Sequence, residues 1–404
     1  MPGQQTHPLP GQLVDRVRHR LAAAGVAVSP GAVAAAVRAE SHGVLADLQV
    51  LSALRELQQE LVGAGPLEPL LADPETTDVL VSGPDQVWVE QAGELRHTEV
   101  RFADADAVRR LAQRLALAAG RRLDDASPYV DAPLPGGVRL HAVLPPIVTG
   151  CTCISLRVLR PTTHGLDALQ AVGSVSPEAG RLLRAIVAAR LAFLVVGGTG
   201  SGKTTLLAAL LGCVPAGERI VCVEEAPELA PQHPHVVRLT TRAPNVEGAG
   251  EVTLQDLVRQ ALRMRPDRLV VGEVRGAEVC ELLAALNTGH QGGAGTLHAN
   301  SPAEVPARLE ALAALGGMAR HALHSQLAAA VQVVLHVVRR DGVRGLAAVG
   351  VLHRDSDLVR VLPAWQDGCW GPGRQRLHDL IGGVHAIGSV DGAHPVGSGD
   401  GAAC

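Results

Sequence analysis

The feature that most restricts this chain is the run Gly197-Gly198-Thr199-Gly200-Ser201-Gly202-Lys203-Thr204. It lies between an apolar stretch, Phe193-Leu194-Val195-Val196, and an apolar helical stretch, Leu206-Leu207-Ala208-Ala209-Leu210. A strand feeding a glycine loop that opens a helix is a phosphate-binding loop, an arrangement of α/β folds. The glycines let backbone N–H groups turn toward one point, and the helix N-terminus adds partial positive charge there. The spacing assigns Gly197, Gly198, Thr199, Gly200, Ser201, Gly202, Lys203, Thr204 and Thr205 to binding a nucleoside triphosphate. Lys203 is placed to reach the β- and γ-phosphates, and Thr204 to offer its hydroxyl to Mg²⁺.

Two acidic groups end apolar runs after the loop: Val221-Cys222-Val223-Glu224-Glu225 and Leu269-Val270-Val271-Gly272-Glu273. In a parallel sheet the strand C-termini collect at the ligand crevice, where a carboxylate can hold a metal or orient water. Glu273 is the candidate for polarising water and Glu224 for the metal shell, so Thr204, Glu224 and Glu273 form the expected metal set. Many phosphate-loop enzymes place a metal-binding Asp where this chain has Gly272. His298, in Thr296-Leu297-His298-Ala299-Asn300, would follow a strand end, within reach of a γ-phosphate.

Along the chain the hydrophobic period changes. Leu45, Leu48, Leu51, Leu54, Leu57 and Leu61 recur at helical spacing, so residues 1–62 read as a helical segment. From Thr77 short alternating runs separated by turn residues read as strands, with a helix near 104–118, giving a small unit over 63–160. Residues 161–176 read as a linker. Over 177–370 strand and helix patterns alternate, which predicts a largely parallel sheet with crossover helices, closed by hairpin strands. Residues 371–404, rich in Gly, Ser and Ala towards the end, read as a disordered tail.

Bulk properties narrow the class. The 404 residues exceed what one core usually serves, roughly 250–300 residues, so two domains are expected. A net charge of -4 and a pI near 6.5 give no support for a duplex-binding face, and no direct contact with nucleic acid is expected. The seven cysteines are odd in number and show no Cys-x-x-Cys spacing, as for buried thiols in a reducing cytoplasm. Arg190, Gln332 and His336 interrupt the longest apolar stretches, so none reaches the roughly 20 residues a membrane span needs. A cytoplasmic protein is expected, whose membrane contact, if it has one, runs through a partner.

Taken in order, these motifs resemble the secretion-superfamily ATPases of type II and type IV systems, above all their tight-adherence (Flp pilus) TadA/CpaF branch. The resemblance is carried by the phosphate loop and by the acidic box Glu224-Glu225-Ala226-Pro227-Glu228-Leu229. It continues in Arg265-Pro266-Asp267-Arg268-Leu269-Val270-Val271-Gly272-Glu273-Val274-Arg275-Gly276 and in the histidine box, from Thr288-Gly289-His290 to His298. It implies a RecA-like motor domain preceded by a PAS-like α+β domain and N-terminal helices. It also implies ATP with Mg²⁺, a homo-oligomer, usually a hexamer, and an integral-membrane platform as partner. It further implies that Arg139 and Arg157, from the N-terminal domain, reach the nucleotide. Three positions depart from the family pattern: Glu225 replaces Asp, Gln291 an acidic residue and Gly293 a Ser. The extra methylene of Glu225 is expected to loosen metal geometry. The alternatives are a conjugation or competence motor of the same superfamily and a catalytically silent ring.

Overall fold

In a computed structural model the protein is described over residues 63–388, apart from 160–163, 246 and 341, with a few single positions before residue 63. The helical segment expected over 1–62 therefore lies outside the described residues, isolated positions excepted. The chain divides into two compact units, Met1–Leu159 and Arg160–Cys404.

The first unit is one antiparallel sheet backed by a helix. Its strands are β1 (Thr76–Gly83), β2 (Gln86–Gln91), β3 (Glu94–His97), β4 (Tyr129–Leu134), β5 (Val138–Val143) and β6 (Cys153–Val158), in the order β3-β2-β1-β6-β5-β4. Alternation decides which face is buried. Val79 and Val81 of β1, Val87 and Val89 of β2, and Ile154 and Leu156 of β6 face the same core as Val108, Leu111 and Leu115 of the helix Ala105–Ala118. Asp104 caps that helix by accepting a 2.6 Å hydrogen bond from the Ala107 N–H. The strand β4 carries Pro133. It lies at the sheet edge, where a residue without an N–H is tolerated.

The second unit is built on nine strands. They are β7 (Phe193–Val196), β8 (Ile220–Glu224), β9 (Val236–Thr240), β10 (Arg268–Val274), β11 (Ala294–Leu297), β12 (Val333–Arg340), β13 (Val343–Asp355), β14 (Leu358–Gln366) and β15 (Cys369–Trp370), in the order β15-β14-β13-β12-β7-β11-β10-β8-β9. From β12 to β9 every pairing is parallel; from β12 to β15 every pairing is antiparallel. The parallel strands β7, β8 and β11 are buried along their whole length, as strands covered on both faces must be. Phe193, Val195, Ile220 and Cys222 point into one core; Leu194, Val196, Val221 and Val223 point into the other.

At the amino end of β10 the guanidinium of Arg268 is fully buried. It pairs with Glu218 at 2.7 Å and donates to the carbonyls of Val187 and Gly292. Arg190 reaches the other oxygen of Glu218 at 2.8 Å.

Two expectations are corrected. The stretch read as a linker holds the helix Leu166–Ala171, whose Leu166 and Leu169 bury into the core beside β7. The tail read as disordered from 371 instead forms the helix Arg374–Gly388, seated by Leu377, Leu380 and Ile381. In both, apolar residues three and four apart outweigh the neighbouring glycines and polar residues. Residues 389–404 lie outside the described set.

Candidate active site

Parallel strands end on one side, so the residues following β7, β8, β10 and β11 share one end of the sheet. There the structure collects the phosphate loop, Glu224, Glu273 and His298. The loop needs its glycines for two separate reasons. A Cβ at Gly197 would stand 2.3 Å from the Val337 carbonyl oxygen, so only hydrogen fits against β12. Gly202 has φ +97°, left-handed backbone that side chains rarely adopt, just before the helix Lys203–Leu211. Ser201 closes the turn, its hydroxyl donating to the Gly198 carbonyl at 2.9 Å.

Lys203 is buried and folded back on its own loop. Its ammonium donates to the carbonyls of Gly197 (3.1 Å) and Gly198 (2.8 Å). Burial lowers its pKa, and the negative charge of Glu273 opposes that shift. Thr204 and Thr205 follow in the first helical turn, both half-buried. From the far hairpin, Arg344 donates from Nε to the Gly200 carbonyl at 3.0 Å. Arg344, Thr205, Leu206, Leu169, Val175 and Leu346 line a cavity of about 200 Å³ that opens beside the loop.

Glu273 is aimed by a bulge. Val271 pairs with Gly295 and Val274 with Leu297, so β10 spends one residue more than β11 over this span. The Gly272 carbonyl accepts a 2.6 Å hydrogen bond from the buried Thr296 hydroxyl, which fixes the bulge. Glu273 Oε1 lies 2.6 Å from His298 Nε2, close enough for an ion pair but out of line for a hydrogen bond. Glu273 Oε2 pairs with the Arg275 guanidinium. Burial lowers the pKa of His298, Lys203 lowers it further, and Glu273 opposes both.

Glu224 is buried at the end of β8. Its Oε1 accepts from the N–H groups of Glu228 (3.0 Å) and Leu229 (2.8 Å), while the buried Oε2 makes no hydrogen bond. Burial pushes its carboxyl up to about 7. Glu225 points elsewhere, to Arg275 at 3.0 Å.

The arginines expected from the first unit form a cross-strand pair, Arg139 on β5 directly opposite Arg157 on β6. Each has a carboxylate: Arg139 chelates Asp131 at 2.8 and 2.7 Å, and Arg157 meets Asp78 at 3.1 Å. His290 turns back instead to the Ala285 carbonyl, at the end of the helix Glu278–Asn287. Gly293 has no room for the Ser of the family pattern: a Cβ there would meet the Leu286 side chain at 2.4 Å and the Leu269 carbonyl at 2.8 Å.

Sequence reasoning gave no role to Arg275, which follows the end of β10 two residues after Glu273. Arg344 lies 144 residues from the loop it touches and left no local signal.

The family described as type II/IV secretion system protein matches residues 60–354. The chain belongs to that family. Over 346 residues this secretion-system protein is 64% identical to a Mycobacterium tuberculosis (strain H37Rv) protein named provisionally as a conjugal transfer protein, covering 84% of this chain and 98% of that one. It is 32% identical over 298 residues to the type IV secretion system protein PtlH of Bordetella pertussis, covering 67% and 87%. Among solved structures, the pilus retraction motor PilT with bound ADP matches with a TM-score of 0.52 at 20% identity, over 80% of this chain and 88% of that one. That last likeness speaks for the α/β fold alone.

Proposed function

We propose that this chain hydrolyses ATP with Mg²⁺ to drive a membrane-embedded apparatus, and that the apparatus is a tight-adherence type pilus or secretion system. The observation that carries the reading is the convergence of a glycine loop, Lys203 and a bulge-aimed Glu273 at one end of a parallel sheet. Triphosphate oxygens replace the Gly197 and Gly198 carbonyls as partners of Lys203, while loop N–H groups and the helix N-terminus hold the remaining charge. The neighbouring cavity, apolar along Leu169, Val175 and Leu206, receives base and ribose.

Among the described residues no three His, Cys, Asp or Glu come together as a metal cage. Mg²⁺ fits such a site, because it keeps several waters and relies on phosphates plus one or two protein oxygens. Thr204 would hold it, with the unpartnered oxygen of Glu224 accepting from its water and Glu273 nearby. The ion supplies charge neutralisation on the phosphates. Glu273 orients the attacking water, and His298 senses the γ-phosphate beside it. Arg139 and Arg157 would have to exchange Asp131 and Asp78 for phosphate oxygens to take part. Their side-by-side placement suits an anion. The working form is a homo-oligomer, of hexameric type, meeting an integral-membrane platform from the cytoplasmic side. Among the described residues no helix is long and apolar enough to cross a membrane.

The name of the mycobacterial relative favours a second reading, a conjugal DNA-transfer motor with the same chemistry. The first test is Mg²⁺-dependent ATP turnover of the purified protein beside Lys203→Ala. Turnover lost in the variant supports the motor; equal rates refute it. A strain carrying Glu273→Gln then separates the cargoes, by loss of surface pili or loss of DNA transfer.

A further inference from the structure

Arg275 is the residue at this site that no motif reading used, and its backbone is fixed before its side chain is considered. The N–H groups of Arg275 and Gly276 both donate to Glu278 Oε1, at 2.6 and 2.8 Å. A Cβ at Gly276 would stand 3.0 Å from Glu278 Oε2, so this carboxylate fills the turn. From that fixed base the guanidinium spans two carboxylates. One is Glu273, two residues back on the bulge; the other is Glu225, which follows β8.

We propose that Arg275 is a positioning residue for Glu273, and that Glu225 is its second anchor. The guanidinium is a planar fork with donors on both arms, so one arm can hold each acid. A lysine is a single point charge and cannot hold both in fixed geometry. The three side chains are partly exposed, Arg275 at 49%, and such pairs contribute little to stability. What the bridge fixes is direction: it ties the acidic-box segment 225–229 to the carboxylate expected to orient water. It also accounts for Glu225. The longer side chain that sequence reasoning expected to loosen metal geometry reaches Arg275 at 3.0 Å.

The inference rests on the ATPase reading, so its test has one arm that needs no turnover. Arg275→Ala, Arg275→Lys, Glu225→Gln and the double variant Glu225→Gln/Arg275→Ala are compared with the wild type. Misplacing a reacting group by about 1 Å costs on the order of 100-fold, so kcat of Arg275→Ala is expected to fall roughly 10- to 100-fold. KM for ATP stays within about twofold, the mark of an interaction that matters in the transition state alone. Arg275→Lys recovers little of the loss. The double variant is no slower than Arg275→Ala, because both changes remove one bridge. The melting temperature stays within about 2 °C throughout, which excludes loss of fold. Without nucleotide, amide exchange at Glu228 and Leu229, protected now by Glu224, is expected to quicken equally in Arg275→Ala and Glu225→Gln. Unchanged exchange at these amides overturns the tie whether or not the protein turns over. If the wild type hydrolyses ATP, an Arg275→Ala kcat within about twofold of wild type, or losses that add in the double variant, overturns the positioning role.

Discussion

A Cβ at Gly272 would stand 2.8 Å from Cγ of Glu224. The two lie at the ends of adjacent parallel strands, one step beyond the Val271–Val223 pair. An Asp at position 272 is thereby excluded, since the neighbouring strand's carboxylate already fills its space. The carboxylate that stands beside position 272 is that of Glu224 on β8. Gly272→Ala is expected to destabilise by about 1–3 kcal/mol through overpacking. Thermal denaturation measures the loss. Glu224→Ala in the same chain should restore part of it, because the clash is with that side chain.

Glu224 makes stability depend on pH. Its ordinary value of 4.5 rises to about 7 in the fold, so the folded state holds the proton more tightly than the unfolded state. Its contribution is complete below pH 4.5, declines as pH rises, and is gone once pH passes 7. The difference is at most roughly 3 kcal/mol. Glu224→Gln, which mimics the protonated acid, should gain stability over wild type at pH 8 and not at pH 4. Urea denaturation at the two pH values checks the sign.

Thr296→Val keeps the shape of the side chain and removes the hydroxyl that holds the Gly272 carbonyl. Leaving this half-buried carbonyl unpaired costs up to about 1–3 kcal/mol. Turnover should fall by more than this loss of stability explains at assay temperature, because the bulge aiming Glu273 is released. Steady-state kinetics beside a melting curve separates the two effects.

Arg268→Met breaks a buried ion pair and strips the carbonyls of Val187 and Gly292 of a donor. The expected cost is about 3–5 kcal/mol. Chemical denaturation reads it directly. Nucleotide affinity of the fraction that remains folded should change little, since Arg268 lies at the amino end of β10, away from the phosphate loop.

The parallel half of the sheet was legible because most of its strands are short apolar runs and helices such as Leu254–Ala261, behind its Thr253–Asp256 capping box, have a clear period. The site was legible where it is local: loop, Lys203 and Thr204 are neighbours in sequence. The helices Leu166–Ala171 and Arg374–Gly388 were missed because each lies beside a stretch rich in loop residues, Pro161 to Gly165 before the first and the Gly- and Ser-rich end of the sequence after the second. The contacts of Glu225 with Arg275 and of Gly272 with Glu224 were obscure because each partner lies on or beside a neighbouring strand. Which strands become neighbours is decided by the crossovers of the whole sheet, as where β8 comes to lie beside β10, and the local sequence does not show it.

The buried clamp on Arg268 has a mechanical consequence. Arg268 and Glu273 occupy opposite ends of β10, five residues or about 17 Å apart. With its foot tied to Glu218, Val187 and Gly292, the strand is held like a post, and sliding it along its axis would break these buried contacts. The loops at the other end of the sheet have no such anchor through Arg268, so the strand's tether and its candidate chemistry sit at opposite ends.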